Sequence, residues 1–254
     1  MKDVIVSTDN RYYKLIKKLK EKKYRDESGV FLAEGEKFLE EQKNFSKIIV
    51  KESKYSYYES KYGISKFENL TVLSDKLFDS ISTQDNSQGL IFIYSKHSSN
   101  LSELKGDLII LDAIQDPGNI GTIIRTLVAT GYRTLILTKS SVDVYSPKVV
   151  RATMGGIFNV NIIYEDKEKI IDFLKNNNYN IISTALSKES IDYRNVELIS
   201  DKNAYIFGNE GGGVSNEFLD ISNQKAIIPI YGNIESLNVS IALGVFLYKM
   251  REMD

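Results

Sequence analysis

The sequence has no cysteine and only one histidine, His97. Without cysteine, the chain can form no disulfide, no cysteine-ligated zinc site, no iron–sulfur cluster and no cysteine nucleophile. A single histidine likewise excludes a metal site built from several imidazoles, and we expect no bound metal. His97 lies in a polar stretch, so we expect it to be an exposed loop residue. These two counts remove many classes of enzyme.

Long apolar runs are also missing. No run approaches the roughly 18 residues that a membrane-spanning helix needs, and the first ten residues lack the apolar centre and cleavage site of a signal peptide. Hydrophobic residues make up 42% of the chain and charged residues 26%, which is typical of a soluble globular protein. The 254 residues suffice for one large or two modest domains. We therefore expect a cytoplasmic protein that does not bind a membrane.

Charge is unevenly distributed, although the formal net charge is only −1. Residues 1–25 contain nine lysines and arginines against three acidic residues, a net charge of +6, which leaves −7 for the remaining chain. A basic segment on a near-neutral protein is typical of binding to a polyanion. A solvated face of a surface helix explains the same pattern equally well, so both interpretations stay open at this point.

The first 95 residues alternate between helical and extended patterns, which predicts a small α/β domain. The expected elements are helices at 12–24, 36–42 and 75–80, and strands at 29–35, 48–51, 71–74 and 90–94. A polar, serine-rich stretch at 96–106 follows and predicts a linker. We therefore place one domain at 1–97 and a second domain at 107–254.

A second alternation of strands and helices fills the rest of the chain. The expected elements are strands at 108–111, 134–138, 160–164, 180–184, 204–207 and 226–229, and helices at 119–130, 146–154, 167–176 and 238–253. Strands that alternate with helices predict an α/β fold with a mostly parallel sheet covered on both faces. Apolar residues occupy nearly every face of the last helix, so we expect it to be buried nearly all round.

The first segment with candidate chemistry spans residues 111–125, where a predicted strand enters a turn and then a helix. We expect Asn119 to cap this helix. Arg125 lies six residues further on, among apolar residues. An arginine in such a setting is costly to bury unless an anion accompanies it. The alternative, slightly favoured from this segment alone, is an arginine whose charged end reaches solvent.

The second segment, residues 205–215, runs from a strand into a glycine-rich loop. Its glycines let a ligand approach the backbone closely, but their spacing matches neither the dinucleotide fingerprint nor the P-loop. Glu210 within the loop would repel a phosphate, so the loop suits a polar or cationic ligand better. The alternative is a glycine-rich turn with a solvated glutamate.

The third segment, residues 227–240, runs from a strand through a loop into the last helix. Ser236 or Asn238 can cap that helix, whose N-terminus favours an anion such as a phosphate. Plain capping is the alternative, since these residue types cap helices everywhere. All three segments follow predicted strands, and ligands of open α/β sheets bind beyond the carboxyl ends of the strands.

Together, and in this order, the three segments resemble the motifs of the SpoU-type 2′-O-ribose RNA methyltransferases of the SPOUT superfamily. The matching residues are Asp116, Pro117, Asn119, Gly121 and Arg125 in the first motif, Gly208, Asn209, Glu210, Gly211 and Gly213 in the second, and Ile228, Pro229, Gly232, Glu235, Ser236, Leu237, Asn238, Val239 and Ser240 in the third. Residues 146–155 also resemble a family feature, and the resemblance covers 107–254. More weakly, the first half resembles the ribosomal-protein-like RNA substrate-binding domain often placed ahead of it, best at 31–35.

The resemblance implies a C-terminal trefoil knot that holds S-adenosylmethionine in a bent shape. It also implies a homodimer in which each site is completed across the interface. The cofactor-binding residues that it implies are Gly208, Asn209, Gly211, Ile228, Ile230, Ser236 and Leu237. The catalytic residues that it implies are Arg125, Asn119, Glu210, Ser236 and Asn238. The implied substrate is RNA, with ribosomal RNA favoured over transfer RNA because of the appended first domain.

The chemistry limits what these residues can do. Without cysteine, covalent attack on a base carbon is impossible, which argues against methylation of base C5. A guanidinium almost never loses its proton, so we expect Arg125 to orient the 2′-hydroxyl and stabilise developing negative charge, with no proton acceptor assigned. Glu210 is expected to order the loop or another site residue rather than to act as the base.

Three alternatives stay open. They are a transfer RNA substrate, a relative that methylates a base nitrogen, and an RNA-binding protein that keeps the fold without activity. The Asn119–Arg125 pair favours ribose chemistry. A cluster of tyrosines could stack RNA bases, although packing at a domain edge is the more frequent role of such a stretch. Its members are Tyr55, Tyr57, Tyr58 and Tyr62.

Overall fold

The structure is a computed structural model and describes residues 3–41, 44–97 and 99–253. The chain divides into two compact units. The first contains Met1–Lys96 together with Asp143–Gly155, and the second contains His97–Val142 and Gly156–Asp254. No helix within the described ranges is long and apolar enough to cross a membrane. His97 is an exposed loop residue, as predicted.

The first unit is built on a mixed sheet of five strands in the order β1-β4-β3-β5-β2. Its strands are β1 (Val4–Ile5), β2 (Val30–Glu34), β3 (Lys47–Lys51), β4 (Leu70–Leu73) and β5 (Leu90–Ser95). Its helices, numbered along the whole chain, are α1 (Arg11–Lys18), α2 (Lys22–Ser28), α3 (Lys37–Glu41), α4 (Tyr55–Tyr62), α5 (Asp75–Ile81) and α7 (Pro147–Ala152). β5 runs antiparallel to β2 and β3, whereas β4 is parallel to β1 and β3.

The predicted helix at 12–24 is wrong as one element, because the chain forms α1 and α2 with a turn between them. The guanidinium of Arg25 explains the break. Its Nη1 donates hydrogen bonds of 2.7 Å to the carbonyls of Leu19 and Lys20, which a continuous helix would use for its own amides. Helical spacing still holds for the inner face of α1 and its C-cap, with Tyr13, Ile16 and the capping residue Leu19 buried in the core of the unit.

The second unit is built on a parallel sheet of seven strands in the order β10-β12-β9-β11-β6-β7-β8. Its strands are β6 (Leu108–Asp112), β7 (Thr134–Thr138), β8 (Asn161–Glu165), β9 (Asn180–Thr184), β10 (Ile191–Asp192), β11 (Asn203–Gly208) and β12 (Gln224–Ile227). Its helices are α6 (Pro117–Thr130), α8 (Lys167–Asn176), α9 (Asn216–Leu219) and α10 (Val239–Met253). Every residue of β6, β7 and β11 is buried, which confirms the predicted parallel sheet covered on both faces.

Sequence patterns missed several elements for identifiable reasons. β1 and β10 have two residues each, and α9 has four, so none of them is long enough to show a period. α4 lies in the tyrosine-rich stretch, where apolar and polar residues do not separate onto two faces of a helix. The last strand was predicted at 226–229 and is found at Gln224–Ile227.

One expectation about a helix is wrong, and another is not met within a single chain. Asn119 does not cap α6, because the helix begins at Pro117 and the side chain of Asp116 accepts the Asn119 amide at 2.8 Å. The side chain of Asn119 is thereby left for other partners. α10 is not buried all round within this chain, since one face of the helix is solvent-exposed at Ile241, Val245 and Tyr248.

Candidate active site at the carboxyl ends of the parallel strands

Side chains from all three motifs form one hydrogen-bonded chain in the second unit. Asn119 donates from Nδ2 to Oε1 of Glu210, and Asn238 donates from Nδ2 to Oδ1 of Asn119 at 2.9 Å. Asn238 in turn accepts hydrogen bonds from the amide and hydroxyl of Ser240 at 2.9 and 2.6 Å. The carboxylate fixes the donor side of the Asn119 amide, so the orientation of each amide along the chain is determined.

The glycine-rich loop after β11 folds back on its own backbone. Oδ1 of Asn209 accepts the amides of Gly211 at 3.0 Å and Gly212 at 2.7 Å, and the Gly213 amide donates to the Asn209 carbonyl at 2.9 Å. A Cβ atom on Gly208 would lie 1.9 Å from the carbonyl carbon of Gly213. Glycine is therefore required at 208, because only it allows the two backbone segments to approach so closely.

Arg125 is not part of this chain of hydrogen bonds. It lies on α6 with its side chain exposed, and it makes no hydrogen bond or ion pair with any residue in the described ranges. The neighbouring Ile123 and Ile124 are fully buried, so the helix turns its apolar face inward and presents Arg125 to solvent. The structure therefore agrees with the exposed arginine of the sequence analysis and shows a positive charge available to an anion.

The third motif occupies the connection between β12 and α10. Asn238 caps α10, because its Oδ1 accepts the amides of Ser240 and, at 3.4 Å, Ile241. Ser236 is exposed and forms no hydrogen bond with the part of the chain that the structure describes, so of the two predicted caps only Asn238 acts as one. The apolar residues predicted to bind the cofactor are half-buried at Ile228, Ile230 and Leu237.

Sequence reasoning missed two charged residues behind the glycine-rich loop, Asp112 and Lys167. Asp112 ends β6 and is only 3% exposed, and Lys167 is the first residue of α8. Both contact Ser215 at the end of the loop. A carboxylate that closes an otherwise apolar strand was the one available signal for Asp112, whereas nothing in the pattern marked Lys167.

The comparison with known families identifies the class of protein. Residues 107–248 match the model of the SpoU rRNA Methylase family, which is more than half of the chain. Residues 10–91 match the model of an MRM3-like substrate binding domain. The chain therefore belongs to the SpoU rRNA methylase family, and the resemblance inferred from its three motifs is confirmed.

Similar proteins include one curated relative that aligns over nearly the whole chain. The 23S rRNA (guanosine(2553)-2′-O)-methyltransferase RlmP of Bacillus subtilis (strain 168) is 30% identical over 251 residues, which is 97% of this chain and 98% of the relative. The 23S rRNA (adenosine(1067)-2′-O)-methyltransferase of Streptomyces azureus is 30% identical over 151 residues, 59% of this chain and 56% of the relative. These two relatives are named for different nucleotides.

One similar solved structure also spans both units. It is an AdoMet-bound rRNA methyltransferase from Sinorhizobium meliloti, with a TM-score of 0.86 and 30% sequence identity over 99% of this chain and 98% of that one. The likeness therefore extends to the first unit and is not confined to the family motifs of the second.

Proposed function

We propose that this chain transfers a methyl group from S-adenosylmethionine to a ribose 2′-hydroxyl of ribosomal RNA. The observation that carries the proposal is the hydrogen-bonded chain through Glu210, Asn119 and Asn238, which ties the three family motifs into one site. The unpaired Arg125 on the same helix as Asn119 adds a cation for RNA. The substrates named for the two 23S rRNA relatives favour ribosomal over transfer RNA.

The residues present fit S-adenosylmethionine. Gly211 and Gly213 in the glycine-rich loop are exposed and leave the backbone open to close approach. Half-buried apolar residues in the connection between β12 and α10 suit a flat adenine ring. The Glu210 carboxylate suits a ligand that carries positive charge on its sulfonium and its ammonium. The residues that we assign to cofactor binding are Gly208, Asn209, Gly211, Ile228, Ile230, Ser236 and Leu237. When bound, the cofactor supplies an already activated methyl group, so the proposal includes no metal.

The protein residues then have to hold the 2′-hydroxyl in line with the methyl group and stabilise the negative charge that develops on its oxygen. Methyl transfer forms a bond between O2′ and carbon, breaks the bond between sulfur and carbon, and releases the hydroxyl proton. We assign Arg125 to orienting the 2′-hydroxyl and stabilising the negative charge that develops on it. Asn119, Asn238 and Ser236 support the bound ribose and its phosphate.

Glu210 has a different role in this proposal. Its Oε1 already accepts a hydrogen bond from Asn119 Nδ2, so the carboxylate orients that amide. A base must instead reach the proton that it removes. We therefore assign Glu210 to positioning Asn119 and assign no residue as the proton acceptor.

The path of the chain supports a C-terminal knot. In the sheet, β9 lies between β12 and β11. The helix that follows β12 in the chain is α10, and it packs against α6 and β11. Arg251 near the end of α10 donates from Nε to the carbonyl of Thr130 at 2.7 Å. The connection between β12 and α10 must therefore return across the ends of β9 and β11, as a trefoil knot in this family requires.

We also propose a homodimer formed through α10. Ile241, Val245 and Tyr248 are 54%, 39% and 56% exposed and lie three or four residues apart, so they form one apolar stripe. A second copy would remove this stripe from water. Val245→Glu should give a monomer by light scattering, whereas Lys175→Glu, at an exposed position of α8, should not change the mass. A monomeric wild-type protein would contradict the proposal.

The first unit is the proposed RNA-binding domain, with domain limits at 1–97 and 107–254. The structure adds that Asp143–Gly155 pack with the first unit, so the second domain contributes a segment to it. α1 exposes four cations to solvent, and these are Arg11, Lys14, Lys17 and Lys18. Such a face suits the phosphate backbone of RNA. With ribosomal RNA as the proposed substrate, we also propose that the protein acts in the cytoplasm.

Two measurements test the proposed function. The first is calorimetry of the full chain with S-adenosylmethionine or S-adenosylhomocysteine and no RNA, for which we expect saturable binding. The second is mass-spectrometric mapping of methylated nucleotides in total RNA with and without the gene. Loss of a 2′-O-methyl group from ribosomal RNA is the expected result. Loss from transfer RNA, loss of a base N-methyl group, or no change together with no cofactor binding would select one of the three alternatives instead.

A further inference from the structure

The glycine-rich loop is held at its far end by two charged side chains that are not among the residues matching the three motifs. Oδ2 of the buried Asp112 accepts the Ser215 amide at 3.0 Å. The ammonium of Lys167 donates to the Ser215 hydroxyl at 2.7 Å. Ser215 is thus bound through its backbone by one side chain and through its own side chain by another.

The two charges depend on each other. The Lys167 ammonium lies 3.6 Å from Oδ1 of Asp112, and a carboxylate that is only 3% exposed is strongly unfavourable without a cation nearby. Lys167 also lies 3.6 Å from the carboxylate of Glu217 and over the ring of Phe218. The Glu217 backbone amide and then the Lys167 ammonium lower the pKa of the Glu217 carboxyl.

The end of the loop controls where its middle lies. Val214 and Phe218, on either side of Ser215, are buried in the core of the unit, so this part of the chain has little freedom. Only four residues separate Ser215 from Glu210, whose carboxylate meets Asn119. A shift of Ser215 would therefore move Glu210 and disturb the hydrogen-bonded chain through the site.

We propose that Asp112 and Lys167 form a latch on Ser215 that holds the glycine-rich loop in its cofactor-binding conformation, which makes Lys167 a positioning residue of the site. This step rests on the proposed function, because it takes the loop to bind S-adenosylmethionine. Lys167 acts through Ser215 and the loop, and it touches neither the cofactor nor the ribose.

The latch is tested in the full chain with Lys167→Met, which keeps the length of the side chain and removes its charge. We expect hydrogen exchange of the loop amides between 211 and 215 to rise about tenfold or more. We expect the Kd for S-adenosylhomocysteine to rise by about tenfold, while kcat at saturating cofactor changes less. Lys167→Arg should restore both quantities, because it returns a cation to Asp112 and a donor to Ser215.

Lys169→Met is the matched control, since Lys169 lies on the same helix and forms its own ion pairs with Glu165 and Asp166. It should leave loop exchange and cofactor affinity unchanged. Wild-type values in Lys167→Met, or equal effects in Lys169→Met, would overturn the latch. If Lys167→Met does not fold, Ser215→Ala decides by the same exchange measurement, because it removes only the hydroxyl contact. If the wild type binds no cofactor, the proposed function fails, whereas loop exchange still supports or overturns the latch.

Discussion

Two arginines, one in each unit, occupy opposite environments. Arg25 in the first unit is 3% exposed, and its guanidinium donates to Asp143 from Nε and Nη2 and to two carbonyls from Nη1. Arg125 in the second unit is exposed and has no partner among the described residues. A guanidinium with its donors satisfied internally is a structural element, whereas an exposed one without a protein partner is available to a ligand.

Two tyrosines of the first unit are, like Arg25, hydrogen-bonded within the protein. Tyr58 is buried, and its hydroxyl donates to the Gln88 carbonyl at 2.7 Å. The Tyr62 hydroxyl donates to the carboxylates of Glu36 and Glu40. These two rings therefore pack and hydrogen-bond within the protein, and of the four tyrosines considered for base stacking only Tyr57 is exposed.

The largest expected effect comes from removing the Arg25 guanidinium, which is hydrogen-bonded within the protein. Arg25→Ala leaves the Asp143 carboxylate, 9% exposed, buried without its cation, which should lower the free energy of unfolding by about 3–5 kcal/mol. Chemical denaturation of the full chain measures this loss. Lys23→Ala is the control, since the exposed Lys23–Glu27 pair at 3.9 Å should contribute about 0–1 kcal/mol. Equal losses in the two variants would show that Arg25 is not the structural element described here.

A smaller effect concerns the basic face of α1. Removing residues 1–25 would also remove core residues such as Ile16 and Leu19, so charge substitutions are the cleaner change. A triple variant should reduce the slope of log K for RNA binding against log salt concentration by about 2. It combines Lys14→Gln, Lys17→Gln and Lys18→Gln. An unchanged slope would mean that this face is only solvated. The same three glutamines should leave the Kd for S-adenosylmethionine unchanged, because all three residues lie in the first unit.

The smallest effect is a pH dependence at the edge strand β10. A hydrogen bond from Arg194 lowers the pKa of Asp192 to about 2. Because the folded-state pKa is depressed, this pair contributes stability above the unfolded-state pKa of about 3.9 and loses it as pH falls through 2. Asp192→Asn should therefore flatten the unfolding free energy between about pH 4 and 2, whereas Asp220→Asn, outside the pair, should not. The Arg194 side chain is 53% and the Asp192 side chain 22% exposed, so solvent screening should keep the change small.

The sequence carried enough local information for most of the second unit. Buried apolar strands, capping residues and glycine turns are signals that span a few residues, and they predicted the parallel sheet and the three loops at its carboxyl ends. Contacts between distant residues were not predictable in the same way. Asp116 and Asn119 are both good capping types, and only the structure shows that the Asn119 side chain is hydrogen-bonded to Glu210 and Asn238 instead of capping α6.

Contacts between distant residues also determine the first unit, and sequence patterns did not predict them. The turn between α1 and α2 depends on the Arg25 guanidinium, whose partner Asp143 is 118 residues away in the sequence. No periodicity in the first 97 residues could reveal that Asp143–Gly155 complete this unit. The domain limits inferred from composition are two continuous stretches of chain, and they do not include the packing of Asp143–Gly155 with the first unit.

The most direct test of the central claim is the effect of Arg125→Ala on catalysis and on cofactor binding, measured separately. We expect kcat for 2′-O-methylation to fall by a factor on the order of 10²–10³, with an almost unchanged Kd for S-adenosylmethionine, because the role proposed for Arg125 is stabilisation of the transition state. Arg125→Lys should recover little, since an ammonium lacks the planar fork of donors. Arg133→Ala, another exposed arginine of the second unit, should retain full activity.

The contrary results are equally clear. Near-normal turnover of Arg125→Ala would show that this arginine only reaches solvent from α6. Loss of folding or of the dimer would show that it is structural, and the catalytic role would then have to pass to Asn238 or to the loop around Glu210.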